Sequence, residues 1–145
     1  MTECSILEKL PSPAEYNHLR ASVDWGTYES SVIESSLPRS LFCVCAVLDA
    51  KVVGMARVIG DGGLVYYVQD VIVLPEHQGQ DIGTRLMDAI MAYLHTHTSP
   101  NSVIGLMAAK GKEPFYDKYG FITRPNDQLG CGMTTNHNTI QSHVS

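Results

Sequence analysis

The chain has no apolar run long enough to cross a membrane: its longest, Leu41 to Leu48, has eight residues, against the roughly 18 that a spanning helix needs. It also lacks an excess of basic residues. Ten Lys and Arg stand against fifteen Asp and Glu, a formal net charge of −5, which is the wrong sign for gripping phosphate backbones, so nucleic acid is not expected as a partner. The opening MTECSILEKL has acids at Glu3 and Glu8 and no basic segment followed by an apolar stretch, so no secretory signal is expected. Cysteine is sparse. Cys4, Cys43, Cys45 and Cys131 form no CxxC pair, and a chain this long builds a core without disulfide staples. Reduced thiols in a soluble cytoplasmic protein are the expectation. Cys43 and Cys45 share one face of a predicted strand and read as small buried hydrophobes, and no metal site is expected.

What is present fits one globular fold. Of 145 residues, 44% are hydrophobic and 17% charged, enough for a single full-sized core. That domain is expected over residues 1–133. The tail 134–145, TTNHNTIQSHVS, offers only Ile140 and Val144 for burial, too little to offset the cost of ordering it, and is expected to be loose.

Ser5 to Glu8 reads as a first strand, and Ser12-Pro13-Ala14-Glu15 as a capping box that starts a helix running to about Ala21. Thr27 to Ser35 reads as a weaker second helix closed by Pro38. From Leu41 the residues become β-branched and apolar. Leu41–Leu48, Val52–Ile59 and Leu64–Leu74 are separated by turns at Asp49-Ala50-Lys51 and Gly60-Asp61-Gly62-Gly63, which predicts three antiparallel strands. Ile82, Leu86, Ala89, Ile90, Tyr93 and Leu94 recur at spacings of three and four, the mark of a helix burying one face. Ser102–Ala108 then reads as a strand that can pair in parallel with its predecessor, Pro114–Tyr119 as a short helix, and Phe121–Thr123 as a last strand. The result is a mixed α/β sheet with helices on both faces.

The chemistry concentrates between Asp70 and Thr84. There a strand runs into a glycine-containing loop that opens a helix, and the unpaired N–H groups of the first turn, with the positive end of the helix dipole, make the backbone from Gly79 to Thr84 a natural seat for a phosphate or diphosphate. The loop is neither GxxxxGK[ST] nor the full GxGxxG of a dinucleotide fold. Gln78-Gly79-Gln80-Asp81-Ile82-Gly83 resembles the [QR]xxGx[GA] signature of the GNAT superfamily of N-acetyltransferases. The preceding VIVLP strand, the following helix with Leu86 and Met87, and Phe115-Tyr116-Asp117-Lys118-Tyr119-Gly120-Phe121, similar to the family's FYxxxGF element, occur in family order and spacing. The resemblance runs from about Val52 to Phe121.

The resemblance implies a GNAT-like fold with a splayed pair of strands and acetyl-CoA as co-substrate. The backbone of Val71, Ile72 and Val73 would bond the pantetheine arm and the acetyl carbonyl, while Gln78, Gly79, Gln80, Asp81, Ile82, Gly83 and Thr84 would hold the diphosphate. It implies direct acetyl transfer to a primary amine of a small molecule through a tetrahedral intermediate, which backbone N–H groups aimed at the oxyanion would stabilise. Tyr116 matches the family's usual general acid, with packing beside Phe115 as the alternative. The base is open. Asp70 at the acetyl site is the first candidate, with Tyr67, Glu113 and a water chain as others. Trp25 and Tyr28 lie where the family covers the acceptor and are expected to form either an aromatic wall for an amine or part of the core. Arg57 and Gln69 read as a cross-strand pair. Lys110 and Lys112 are either CoA-phosphate contacts or a solvated loop, and a homodimer is expected from the edges of an opened sheet.

Asp81 departs from the family pattern, which has glycine there. A Cβ costs on the order of 1–2 kcal/mol if the backbone is left-handed, and a carboxylate repels a diphosphate. As an N-cap, Asp81 would instead consume the N–H groups itself. Both readings predict weakened acetyl-CoA binding. The alternative function is a catalytically silent acyl-CoA-binding or interaction module.

Overall fold

The computed structural model describes residues 3–144. Its residues group into two compact units, one ending at Met107 and the other beginning at Ala108.

The first unit contains β1 (Ser5–Glu8), α1 (Pro13–Ser22), α2 (Ser30–Ser36), β2 (Phe42–Leu48), β3 (Lys51–Gly60), β4 (Val65–Val73), α3 (Ile82–His97) and β5 (Val103–Leu106). The capping box forms as expected: Ser12 Oγ accepts from the Glu15 N–H at 3.1 Å, and Glu15 Oε1 accepts from the Ser12 N–H at 2.8 Å. The five strands are ordered β1-β2-β3-β4-β5, antiparallel except for the parallel β4–β5 pair. Asp49 and Ala50, at φ 51 and 62°, close the β2–β3 hairpin in the left-handed conformation that two-residue hairpins demand.

Helix α3 buries Ile82, Leu86, Met87, Ile90 and Leu94 against β2, β3 and β4. Gly54 makes this close approach feasible, because a Cβ there would stand 3.0 Å from the Ile72 carbonyl oxygen and 3.1 Å from Leu86 Cδ1. Strand alternation turns Arg57 to the opposite face, where its side chain and α1 meet at Asp70. Helices therefore cover both faces.

The register of β3 on β4 slips once. Met55 pairs with Ile72 and Arg57 with Gln69, so Ala56 stands opposite both Asp70 and Val71. This is a β-bulge, which bends a strand and increases its twist. Asp70 occupies it at φ 56°. On its other side β4 pairs with β5 only from Val65 to Val68. Beyond the bend, Gln69–Val73 has no strand partner on that side among the described residues, and the splayed pair stands at the end of the sheet.

The second unit holds α4 (Glu113–Asp117) and α5 (His137–Val144). One expectation needs correction here. Phe121–Thr123 forms no strand: Ile122 is 72% exposed, and Pro125 removes a donor and restricts Arg124 just beyond it. In the tail, Asn136 caps α5, its Oδ1 accepting from the Thr139 N–H at 2.9 Å, as N-cap residues do.

Candidate active site

The loop between β4 and α3 has the geometry that the first-turn argument requires. Gly79 is left-handed at φ 82°, and apart from its chain neighbours no described residue lies within 4 Å of where its Cβ would be, so there is free space beside this backbone. Asp81 is also left-handed, at φ 64° and ψ 11°, and its side chain makes no cap hydrogen bond. The capping alternative is thereby excluded, and the strain reading holds. The N–H groups of Ile82 and Gly83 have no acceptor among the described residues, as the start of a 16-residue helix leaves them. The Ile82 side chain itself is core, 3% exposed, so only its amide is available. Gln78 acts on the protein: its Nε2 donates to the Val73 carbonyl at 3.0 Å and braces the loop against the end of β4. Gln80, Ile82 and Arg85 border a cleft of about 450 Å³ that Glu3, Cys4 and Leu48 complete.

The open stretch of β4 is more selective than the sequence indicates. The Leu74 N–H donates to the Val53 carbonyl across β3 at 2.9 Å. Antiparallel alternation from that bond turns the Ile72 backbone toward Met55 and the Val73 backbone away from β3. Ile72 is therefore not free to bond a ligand, a correction to the expected trio. The same alternation turns Ala56 toward β2, leaving Asp70 and Val71 without ladder partners on β3.

Asp70, the first candidate base, is 3% exposed and fully engaged. Its Oδ2 accepts from Tyr16 Oη at 2.7 Å and Arg57 Nε at 2.8 Å, and its Oδ1 from Arg20 Nη1 at 3.0 Å and Gln69 Nε2 at 3.2 Å. A carboxylate has about four lone-pair positions, and four donors occupy them. This arrangement suits Asp70 to tying α1 to the β4 bulge, not to receiving a substrate proton. Tyr67 is no readier, since burial pushes its phenol above the ordinary range although the Met107 backbone bond opposes this.

The aromatic wall exists, and it already holds a cation. The Arg20 guanidinium carbon lies 5.8, 5.4 and 4.9 Å from the ring centres of Tyr16, Trp25 and Tyr28, while Arg20 Nε donates to the Gly26 carbonyl at 2.6 Å. Trp25 and Tyr28 thus steady the chain's own arginine.

Burial and the bond to Asp70 push the Tyr16 phenol up to about 12. Its proton is held more tightly in the folded state than in the unfolded chain, where the value is about 10. The associated stability is present below pH 10 and is lost as pH rises toward 12, a change of about 2–3 kcal/mol. Urea unfolding across pH 9–12 should show this extra decline in the parent protein and not in Tyr16→Phe.

In the second unit, Tyr116 on α4 is edge-on to Phe115 at 5.0 Å and to Phe121 at 6.2 Å. Burial raises its phenol above the ordinary value, so it keeps its proton well into the alkaline range. Glu113 is the first residue of the same helix, and Lys110 and Lys112 flank Gly111 on an exposed turn. No cluster of three or more His, Cys, Asp or Glu suited to a metal ion occurs among the described residues.

Residues 27–136 match the model of the acetyltransferase (GNAT) domain. The chain belongs to the GNAT acetyltransferase family. Among solved structures it is similar to SA2161 of meticillin-resistant Staphylococcus aureus, described as a probable acetyltransferase, with 30% identity and a TM-score of 0.85 over 93% of this chain and 100% of that one. It is also similar to the GNAT-family acetyltransferase SP0256 of Streptococcus pneumoniae, with 26% identity and a TM-score of 0.73 over 92% and 98%. The uncharacterized N-acetyltransferase ycf52 of Pyropia yezoensis is 28% identical over 120 residues, 80% of this chain and 68% of that protein. GCN5-related N-acetyltransferase 2, chloroplastic, of Arabidopsis thaliana is 34% identical over 82 residues, 57% of this chain and 31% of that protein. Acetyltransferase membership favours the enzymatic reading over the silent module.

Within this GNAT chain, sequence reasoning missed Tyr16 and Arg20 and took Arg57 and Gln69 for a simple pair. Arg57 and Gln69 are indeed cross-strand partners, but both converge on Asp70. The available signal was Arg20 itself, one helical turn after the apolar Tyr16, in a chain with few cations.

Proposed function

We propose that the protein is an acetyl-CoA-dependent N-acetyltransferase that acetylates a primary amine on a small molecule. One observation carries the reading: β4 loses its β5 partner after Val68 and runs on, paired with β3 alone, to a loop whose helix-start N–H groups of Ile82 and Gly83 have no acceptor among the described residues. An extended arm ending in a diphosphate suits such a path, with a strand edge for the arm and a helix N-terminus for the anion.

Bound there, acetyl-CoA would supply a thioester-activated acetyl group. Val71 and Val73, whose backbone faces the open edge, would bond the arm and carbonyl, and Gly79, Gln80, Ile82, Gly83 and Thr84 would line the diphosphate seat. In the reaction the amine nitrogen forms a bond to the acetyl carbon, the carbon–sulfur bond breaks, and the sulfur leaves with the electron pair. The amine loses a proton to water. Tyr116, proposed as the acid on its family motif, protonates the leaving thiolate and recovers a proton from water, so the products are an amide and free CoA thiol.

The test is release of free thiol from acetyl-CoA across a panel of polyamines, arylalkylamines, aminosugars and amino acids. Tyr116→Phe should lower kcat by about 10²-fold or more with little change in KM for acetyl-CoA. Because its phenol is raised, Tyr116 should add no descending limb to the parent's rate profile below pH 10. An unchanged kcat in Tyr116→Phe would remove Tyr116 from the mechanism.

A further inference from the structure

The proposed function leaves the acceptor unspecified, and the groups around Asp70 bear on it. Two guanidinium groups share one carboxylate, Arg20 at 3.0 Å and Arg57 at 2.8 Å. Among the described residues neither arginine pairs with another acid. Their other bonds go to neutral groups, Arg20 Nε to the Gly26 carbonyl and Arg57 Nη1 to Ser40 Oγ at 3.2 Å. The cluster therefore carries two positive charges against one negative.

The surplus charge can be reached. The Nη2 atoms of Arg20 and Arg57 have no partner among the described residues, and the two side chains are 12% and 13% exposed. Both are also held in place, Arg57 by Asp70 and Ser40, and Arg20 by Asp70, Gly26 and three aromatic rings. Guanidinium groups fixed in this way, each with Nη2 left to donate, are preorganised for the oxygens of a carboxylate or phosphate. Asp70 itself lies on the open edge and directly precedes Val71, whose backbone faces it.

We propose that the acceptor is an amine that also carries an anionic group, carboxylate or phosphate, which docks on the Nη2 atoms of Arg20 and Arg57; this rests on the acetyltransferase reading above. The aromatic rings do not receive the acceptor's amine, since Arg20 occupies them.

The experiment compares amines that differ only in the anion: ornithine with putrescine and tyrosine with tyramine for carboxylate, and O-phosphoethanolamine with ethanolamine for phosphate. KM is read from thiol release, and binding of each amine to the CoA-loaded protein is read by calorimetry. In at least one arm the anionic member should have a KM and Kd at least tenfold lower, and the arm that responds identifies the anion. Arg57→Gln should abolish the difference. Arg57→Lys, which keeps the charge but loses the fork, should reduce it several-fold and decides the matter if the glutamine variant does not fold. Equal or better use of the neutral amine in every arm would overturn the inference while leaving the acetyltransferase reading intact. A protein that shows no acetyl-CoA-dependent thermal shift would instead overturn that reading.

Discussion

Replacing Asp70 with alanine is expected to lower the unfolding free energy by about 3–5 kcal/mol, the usual consequence of removing one partner from a buried ion pair. The change would strip the acceptor from two guanidinium groups, a phenol and an amide at once. It would also release the β4 bulge, whose left-handed residue costs on the order of 1–2 kcal/mol and is held by those bonds. Against a typical domain stability of about 5–15 kcal/mol the loss is large. Asp70→Asn keeps one oxygen but turns an NH2 toward arginine, so an intermediate loss is expected. Urea denaturation of the three proteins measures it. A catalytic base would give the opposite pattern: near-parental stability in Asp70→Asn with kcat reduced at least 10²-fold.

Asp81→Gly is expected to tighten acetyl-CoA binding about tenfold, equivalent to about 1.4 kcal/mol. Asp81 is exposed and left-handed, and its carboxylate makes no cap bond, so its removal loses no cap bond and removes a negative charge from the proposed diphosphate seat. Stability should move by less than about 1 kcal/mol, because relief of backbone strain opposes the loss of an acid from the helix N-terminus. Asp81→Asn separates the two effects. Asparagine tolerates the left-handed conformation and carries no charge, so it should recover most of the affinity. Calorimetry at low salt should show the difference between the parent protein and Asp81→Asn most clearly, since screening diminishes it. Equal affinity in all three would mean that the diphosphate does not lie beside Asp81.

The elements that read clearly from sequence were those with a local cause. Ser12 and Glu15 specify the start of α1 by reciprocal bonds three residues apart, and the spacing from Ile82 to Leu94 declares the buried face of α3. Asp49-Ala50 and the runs beside it define a hairpin. The loop from Gln78 to Gly83 was legible as a turn that opens a helix because its cause lies in consecutive residues. Its neighbour was not. The bulge at Asp70 depends on how β3 registers on β4, and the choice of Val71 and Val73 over Ile72 follows from a hydrogen bond between Leu74 and Val53. Asp70 was chosen as a base from its place on the strand, but its four donors come from Tyr16, Arg20, Arg57 and Gln69, three of them at least 13 residues away in sequence. The missing strand at Phe121–Thr123 has the same origin, since three β-prone residues form a strand only where another strand offers them an edge.

Hydrogen–deuterium exchange with and without acetyl-CoA tests the central claim most directly. The account predicts slowed exchange at the amides of Val71 and Val73 and of Ile82 and Gly83 when acetyl-CoA is present, with Ile72, already bonded to β3, little changed. Exchange at those four amides that is the same with saturating acetyl-CoA as without it would contradict the account.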